Sequence, residues 1–315
     1  MIETSTIVGL YVAGVLEITI PLFVLYFLYR RHRYSISSLL FGILIYLAAT
    51  KILIPGIISL ISAIPGAMEY LDTQFYLFVL ILSVLTALFQ LPLQYLVVRF
   101  TRKGKWSIYD ALAMGIAYWL PDTFSNSATM ISQGSFSRTV NSGKIEELVS
   151  ETITIDQVEG LVEQIQSLNF FTVQVKMITQ LFLVIINVAL VLLVYHSVKR
   201  KKLWLLFTGV GINIAYLLSI NYVEKWLGYW PSNAVFLVIT AGAVYFIARY
   251  MKWYKVQQAQ LLQKKKEFKE RQRAKAAANM KAKEEAKRLA EEQKRAAEQA
   301  AQSETPQEPA SAPED

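Results

Sequence analysis

The feature that most constrains this chain is a succession of apolar runs, each near twenty residues long, broken mainly at charged connectors. Crossing the roughly 30 Å hydrocarbon layer of a bilayer requires runs of that length. Lipid offers no partner to a backbone N–H or C=O, so segments of this length satisfy their own polar groups by folding as helices. The runs lie at 7–28, 36–58, 75–98, 108–130, 170–198, 203–223 and 230–250. The expected fold class is therefore all-α, a polytopic membrane helix bundle of about seven spans. Pro55-Gly56 is expected to bend or end the second span.

Charge gives the expected orientation. Arg30, Arg31, His32 and Arg33 follow the first run; Arg99, Arg102, Lys103 and Lys105 follow the third; Lys199, Arg200, Lys201 and Lys202 follow the fifth. The connectors between carry the opposite sign: Glu69 and Asp72 stand in 65–73, and 132–169 sets Glu146, Glu147, Glu151, Asp156, Glu159 and Glu163 against Arg138 and Lys144. Basic connectors stay on the cytoplasmic side, so the N-terminus is expected outside and the C-terminus in the cytoplasm of a multi-pass cell-membrane protein. A cleavable signal peptide has its basic residues before the apolar run, the reverse of the order here, so the first span is expected to be retained. Trp226, Tyr229 and Trp230 read as interfacial aromatics. Within the outer loop 131–169, apolar residues at Ile145, Leu148, Val149, Val158, Leu161, Val162 and Ile165 repeat at helical spacing and predict one or two amphipathic helices.

Composition changes after the membrane domain, 1–250. The segment 251–302 is dominated by Lys, Glu, Ala, Gln and Arg without Pro or Gly, and it carries pairs four apart such as Glu267 with Arg271 and Glu284 with Arg288. It predicts a charged cytoplasmic helix about 75 Å long at 1.5 Å per residue. A thin stripe of Ala282, Ala286, Leu289 and Ala296 encodes a coiled coil weakly. Lys264, Lys265, Lys266, Lys269, Arg271, Arg273 and Lys275 form a basic arm suited to anionic lipid or to ribosomal or other RNA. Phe268 is the sole aromatic near it, which argues against base stacking. The last stretch, 303–315 (SETPQEPASAPED), is acidic, proline-rich and expected to be disordered.

The chemistry is sparse. The chain has no cysteine, and its 2 histidines, His32 and His196, both stand beside basic clusters at span ends, with no H-E-x-x-H. Neither a metal nor a cofactor is expected. Ionisable side chains inside a span are costly and so are candidates for function. Glu17 lies near the middle of the first span, while Lys51, Asp122 and Lys176 fall in the outer halves of three others. Similar depth suggests an ion-paired cluster with Asp122 between two lysines, against the alternative that both lysines snorkel outward. Gln90, Gln94, Gln180, Asn187 and Asn213 are intramembrane amides of the kind that tie helices together. Asp122 and Glu17 are the only acids deep enough to act as a catalytic base.

The run from Gln90 to Thr123, with the later stretch from Lys176 to Ser219, resembles the YhfC family of bacterial intramembrane proteases, related to the glutamic-type CAAX-protease group. Members show an E-E-x-x-R-Y pattern at the end of one span, a basic turn, a D-A-L-x-x-G-x-G-H-G-G-x-E-A-like helix, and two later spans each bearing a histidine. Here Q-L-P-L-Q-Y (Gln90 to Tyr95) and D-A-L-A-M-G-I-A-Y-W-L-P-D-T (Asp110 to Thr123) stand at the first two motifs. By that resemblance Gln90 and Leu91 replace the paired glutamates, Gln94 the arginine and Tyr118 the first histidine. Asn187 and Asn213 stand near the later histidines, and Asp122 keeps a carboxylate at the position of a family glutamate. The implied reading is a pseudoenzyme that binds a membrane-protein or peptide partner in its polar cavity. Two others remain open: an active hydrolase using Asp122 and Glu17, and a transporter- or insertase-like protein with a polar path, although no internal repeat supports the last.

Overall fold

A computed structural model describes residues 1–101, 106–144 and 155–303, with side chains described as far as Glu298 in the tail. No strand occurs among the described residues, which confirms the all-α expectation. The helices are α1 (Thr4–His32), α2 (Ile36–Tyr46), α3 (Ile54–Ser62), α4 (Ala67–Thr73), α5 (Phe75–Phe100), α6 (Ile108–Asn141), α7 (Ile155–Gln166), α8 (Phe170–Arg200), α9 (Trp204–Leu227) and α10 (Tyr229–Ser303). A π-helical stretch, Leu47–Leu53, joins α2 to α3. The chain divides into a unit of Met1–Arg249 and a second of Tyr250–Asp315.

Contacts within the first unit fix the helix directions. At one end the Asn141 side chain exchanges hydrogen bonds with the backbone of Ile2, at 2.9 and 2.7 Å, and the Thr6 hydroxyl donates to the Leu168 carbonyl at 3.3 Å. At the other end His32 stacks on Tyr109 with ring centroids 3.7 Å apart, and the Tyr195 hydroxyl donates to the Trp106 carbonyl at 3.2 Å. Hence α1 and α8 run together, antiparallel to α6. Tyr222 and Trp226 at the end of α9 meet Tyr76 at the start of α5, so those two are antiparallel as well. This alternation gathers Arg30, Arg31, Arg99 and Lys199–Lys202 at one face, with Glu3 and the connector bearing Glu69 and Asp72 at the opposite one.

Among the described residues, six helical stretches are long and apolar enough to cross a membrane: Thr4–His32, Ile36–Ser62, Phe75–Phe100, Phe170–Arg200, Trp204–Leu227 and the start of α10. The expected seventh, α6, is too polar to qualify, and packing explains why. It lies among α1, α2 and α8, and every residue from Ile108 to Tyr118 except Tyr109 is buried. Protein encloses this first part of the helix, so polar groups there meet helix partners.

Close backbone approach makes that enclosure feasible. A Cβ at Gly42 of α2 would stand 2.6 Å from the Met114 carbonyl oxygen, and one at Gly115 would stand 2.9 Å from the Val188 Cα. Only glycine lets α6 sit this near α2 and α8.

The structure decides between two expectations and corrects two others. Of the bend or end expected at Pro55-Gly56, the span does not end there: a π-helical stretch precedes the proline and the helix continues to Ser62. The fourth span does not stop at Met130 but runs to Asn141. Ser135, Ser137 and Thr139 each return their hydroxyl to the carbonyl four residues back, and Gly134 packs on Tyr11, so polar composition there is compatible with helix. The loop expected at 131–169 is accordingly shorter. Of its amphipathic helices, α7 buries Val158 and Ile165, the latter in a cluster with Ile2, Leu10, Ala13, Val173 and Met177, while 145–154 lies outside the described residues. In the second unit the helix is exposed over the basic positions 264–275.

Candidate functional site: a polar seam inside the bundle

The N-terminus of α6 positions the seam. Ser107 and Asp110 form a reciprocal capping box, with Ser107 Oγ accepting from the Asp110 N–H at 3.1 Å and Asp110 Oδ2 accepting from the Ser107 N–H at 2.8 Å. The other carboxylate oxygen of Asp110 accepts the Ser35 N–H at 2.6 Å, which ties the start of α2 to the start of α6. The S-x-x-D spacing at 107–110 carries this signal in the sequence.

Deeper in the bundle, three amide side chains and one backbone carbonyl, from four helices, are hydrogen-bonded in a row. The Asn213 amide of α9 donates to Gln90 Oε1 at 3.3 Å; Gln90 Nε2 of α5 donates to Asn187 Oδ1; and Asn187 Nδ2 of α8 donates to the Gly115 carbonyl of α6 at 2.5 Å. All three amide side chains are buried, and the accepting carbonyl belongs to Gly115, where the backbones of α6 and α8 approach closely. Gln94, one turn along α5, is fully buried with neither amide atom bonded, and the Asn213 carbonyl oxygen is likewise without a partner. Leu91 is buried beside Gly209 and contributes only packing. Of the positions lined up by resemblance, Gln90, Asn187 and Asn213 are therefore hydrogen-bonded to one another, while Tyr118 lies with the second set below.

Toward the other face lies a second set. Asp122 Oδ1 accepts from the Tyr46 hydroxyl at 2.9 Å, and the Tyr46 and Tyr118 rings meet edge to face at 5.5 Å, with Thr50 beside Tyr118. Glu17 of α1 is buried within electrostatic reach of Asp122, and Asn126 is the nearest amide. The Asn126 side chain is the hydrogen-bonding neighbour of the Glu17 carboxylate. Asp122 is thus held by a tyrosine in place of the expected lysines. The Lys51 ammonium stands 5.8 Å over the Tyr46 ring, and Lys176 with Gln180 lines a separate polar cavity of about 360 Å³ shared with Asn126, Thr129, Thr179 and Tyr229. Tyr46 and Asn126 were not singled out from sequence, since a tyrosine in an apolar run reads as an interface anchor and an asparagine near a span end reads as loop.

A family model described as YhfC intramembrane metalloprotease matches residues 16–237. No curated protein and no solved structure matches the chain. That description implies a metal ion, so the seam can be tested as a metal site. Catalytic zinc takes histidine, cysteine or carboxylate donors, and among the described residues no group of three or more such side chains comes together. The convergent node offers neutral amides, whose oxygens at Gln90 and Asn187 already accept hydrogen bonds from neighbouring amides. This donor set does not fit a catalytic metal. The match spans most of the chain and covers the whole polar seam, and on that ground the chain belongs to the YhfC intramembrane metalloprotease family.

Proposed function

We propose that this chain is a non-catalytic member of its family, a membrane pseudoprotease that keeps the scaffold and binds a membrane-embedded partner. One observation carries the reading: the family-motif positions Gln90, Asn187 and Asn213 bond to one another across helices. Hydrolysis needs a base to activate water and a donor or metal to stabilise the oxyanion. Amides bonded in series supply no base, and the seam's remaining acids, Glu17 and Asp122, lie in a different cluster, toward the opposite face.

The scaffold carries features that suit recognition. An apolar groove of about 460 Å³ runs between α1, α8 and the first part of α10, and its floor at Ile116 and Val188 adjoins the Gly115–Asn187 contact. Positive connectors at one face support an orientation with the C-terminus in the cytoplasm. In that orientation the exposed basic stretch 264–275 stands free to meet anionic lipid headgroups.

The test is a cleavage assay on purified protein in liposomes with transmembrane and prenyl-type peptides. No product is expected. Turnover that disappears on Asp122→Asn overturns the proposal and establishes an acid-based hydrolase.

A further inference from the structure

The groove on the flank of the bundle has a width and an end that together single out an occupant. Its lining is apolar throughout: α1 supplies residues between Ile20 and Leu28, α8 supplies residues between Ile178 and Val188, and Leu112 and Ile116 of α6 form the floor. These stretches extend about 12 Å along α1 and about 15 Å along α8 at 1.5 Å per residue. A volume of about 460 Å³ over that length leaves a channel roughly 6–7 Å across, where a helix with its side chains measures about 10–12 Å. A transmembrane helix cannot enter such a channel, whereas one extended hydrocarbon chain can.

The groove leads to cations. Eleven residues complete three helical turns to within about 20°, so Arg31 continues the face of Ile20 and Lys199 the face of Val188. The two helices run in the same direction, and the Gln174 amide of α8 donates to the Gly9 carbonyl of α1 at 3.2 Å. Equal steps along both from that contact bring Arg31 level with His196, less than one turn short of Lys199. The Arg31 guanidinium lies 5.9 Å over the Phe27 ring and the Lys199 ammonium 5.5 Å over the Tyr195 ring, both at span ends. His32, one turn beyond Leu28, stacks on Tyr109, one turn before Leu112, and closes the floor at this end. The acid among these helix ends, Asp110, is engaged by Ser35 and Ser107.

From the slender apolar channel and the cations at its end, we propose that the groove binds one anionic phospholipid from the leaflet at the basic face, with an acyl chain lying between α1 and α8 and the phosphate between Arg31 and Lys199. Bulk lipid is as apolar as the groove, so the chain contributes fit, and the two cations select a net negative headgroup over a zwitterionic one. The bound lipid bridges α1 and α8 across the flank of α6. This rests on the groove being a recognition feature, as proposed above, and names its occupant; it does not require the amide row to be inert.

The experiment uses the full-length protein, released from detergent micelles in a mass spectrometer under non-denaturing conditions after titration with phosphatidylglycerol or phosphatidylcholine of identical acyl chains. Retention of one phosphatidylglycerol, saturating at a single site and preferred over phosphatidylcholine, is expected. Arg31→Gln with Lys199→Gln should weaken that binding about thirtyfold, at about fivefold for each cation near the surface. Val24→Trp, at a half-exposed position on the groove wall, should block the channel and abolish retention with both cations in place. Replacing Lys264, Lys265, Lys266 and Lys269 with glutamine should leave the retained lipid unchanged. Equal retention of the two lipids overturns the site, as does full retention in Val24→Trp. Loss of retention in the Lys264–Lys269 variant also overturns it, because the lipid then belongs to the charged helix. Glycerol phosphate that displaces the lipid at equal concentration overturns the role of the acyl chain and leaves a phosphate site. These measurements involve no cleavage, so their failure and that of the proposed function are separable.

Discussion

Asn187 and Gly115 meet at a close approach of α8 and α6, the asparagine amide donating to the glycine carbonyl at 2.5 Å while Val188 fills the space a side chain on Gly115 would need. This contact anchors the row that continues through Gln90 to Asn213, and it leaves each amide dependent on the next. Asn187→Ala removes a donor and an acceptor at once. Reversible unfolding in mixed micelles should show a loss of about 1–3 kcal/mol, since a buried unsatisfied group costs that much although an average intramembrane hydrogen bond contributes less. A double-mutant cycle with Gln90→Ala should give clear coupling. Additive losses would mean that the row is not a unit.

Substitution at Gly42 tests the enclosure of α6. An alanine Cβ would meet backbone on α6, at 2.6 Å from the Met114 oxygen, and backbone cannot swing aside as a side-chain tip can. Gly42→Ala should destabilise by about 1–3 kcal/mol. Gly56→Ala, where a Cβ meets nothing within 4 Å, should be neutral or up to about 1 kcal/mol stabilising through helix propensity. Thermal unfolding of the two variants side by side checks the contrast.

Asp110 has three hydrogen-bonding duties at the start of α6, accepting from the N–H and hydroxyl of Ser107 and from the N–H of Ser35. Asp110→Ala should cost about 1–2 kcal/mol, the upper range for a capping residue, because it also frees a backbone N–H at the start of α2. Asp110→Asn keeps an acceptor and should recover part of that loss. Equal stabilities for the two variants would show that the cap is not what holds these helix ends together.

The absence of cysteine allows the orientation to be read without background. Thr73→Cys lies in the acidic connector and Lys201→Cys in the basic one. In intact cells a membrane-impermeant maleimide should modify the first and not the second until the cells are permeabilised. The opposite pattern would reverse the proposed sidedness, and with it the location of the charged helix.

The basic stretch gives a further measurable outcome. Replacing Lys264, Lys265, Lys266 and Lys269 with glutamine should weaken association of the protein with vesicles containing anionic lipid, each surface lysine being worth about 1 kcal/mol at low salt. Vesicles of zwitterionic lipid should not distinguish the variants. Salt-dependent binding to RNA that exceeds binding to the anionic vesicles would reassign the arm to nucleic acid.

How much of this architecture could be read from sequence depended on what surrounds each residue. Apolar runs facing lipid declare themselves, because lipid imposes the same demand along the whole run. The stretch after Met130 misleads, since Ser135, Ser137 and Thr139 look like loop residues until their i−4 bonds and the packing of Gly134 on Tyr11 are seen. The seam was legible as a set of residue types but not as contacts, because its bonds join positions such as Gln90 and Asn187 that are 97 residues apart. Depth alone paired Asp122 with lysines. Rotation about α6 turned it to Tyr46 instead, and a depth count contains no information on rotation.

The enclosure of α6 bears on how the protein is assembled in the membrane. A helix with this many polar groups gains little by partitioning into lipid alone, so its entry depends on neighbours that shield it. Two of these, α1 and α2, are synthesised earlier, whereas α8 emerges only after α6 and the connector that follows it. During translation α6 therefore waits with one flank uncovered, and the arrival of α8 with Asn187 closes that flank.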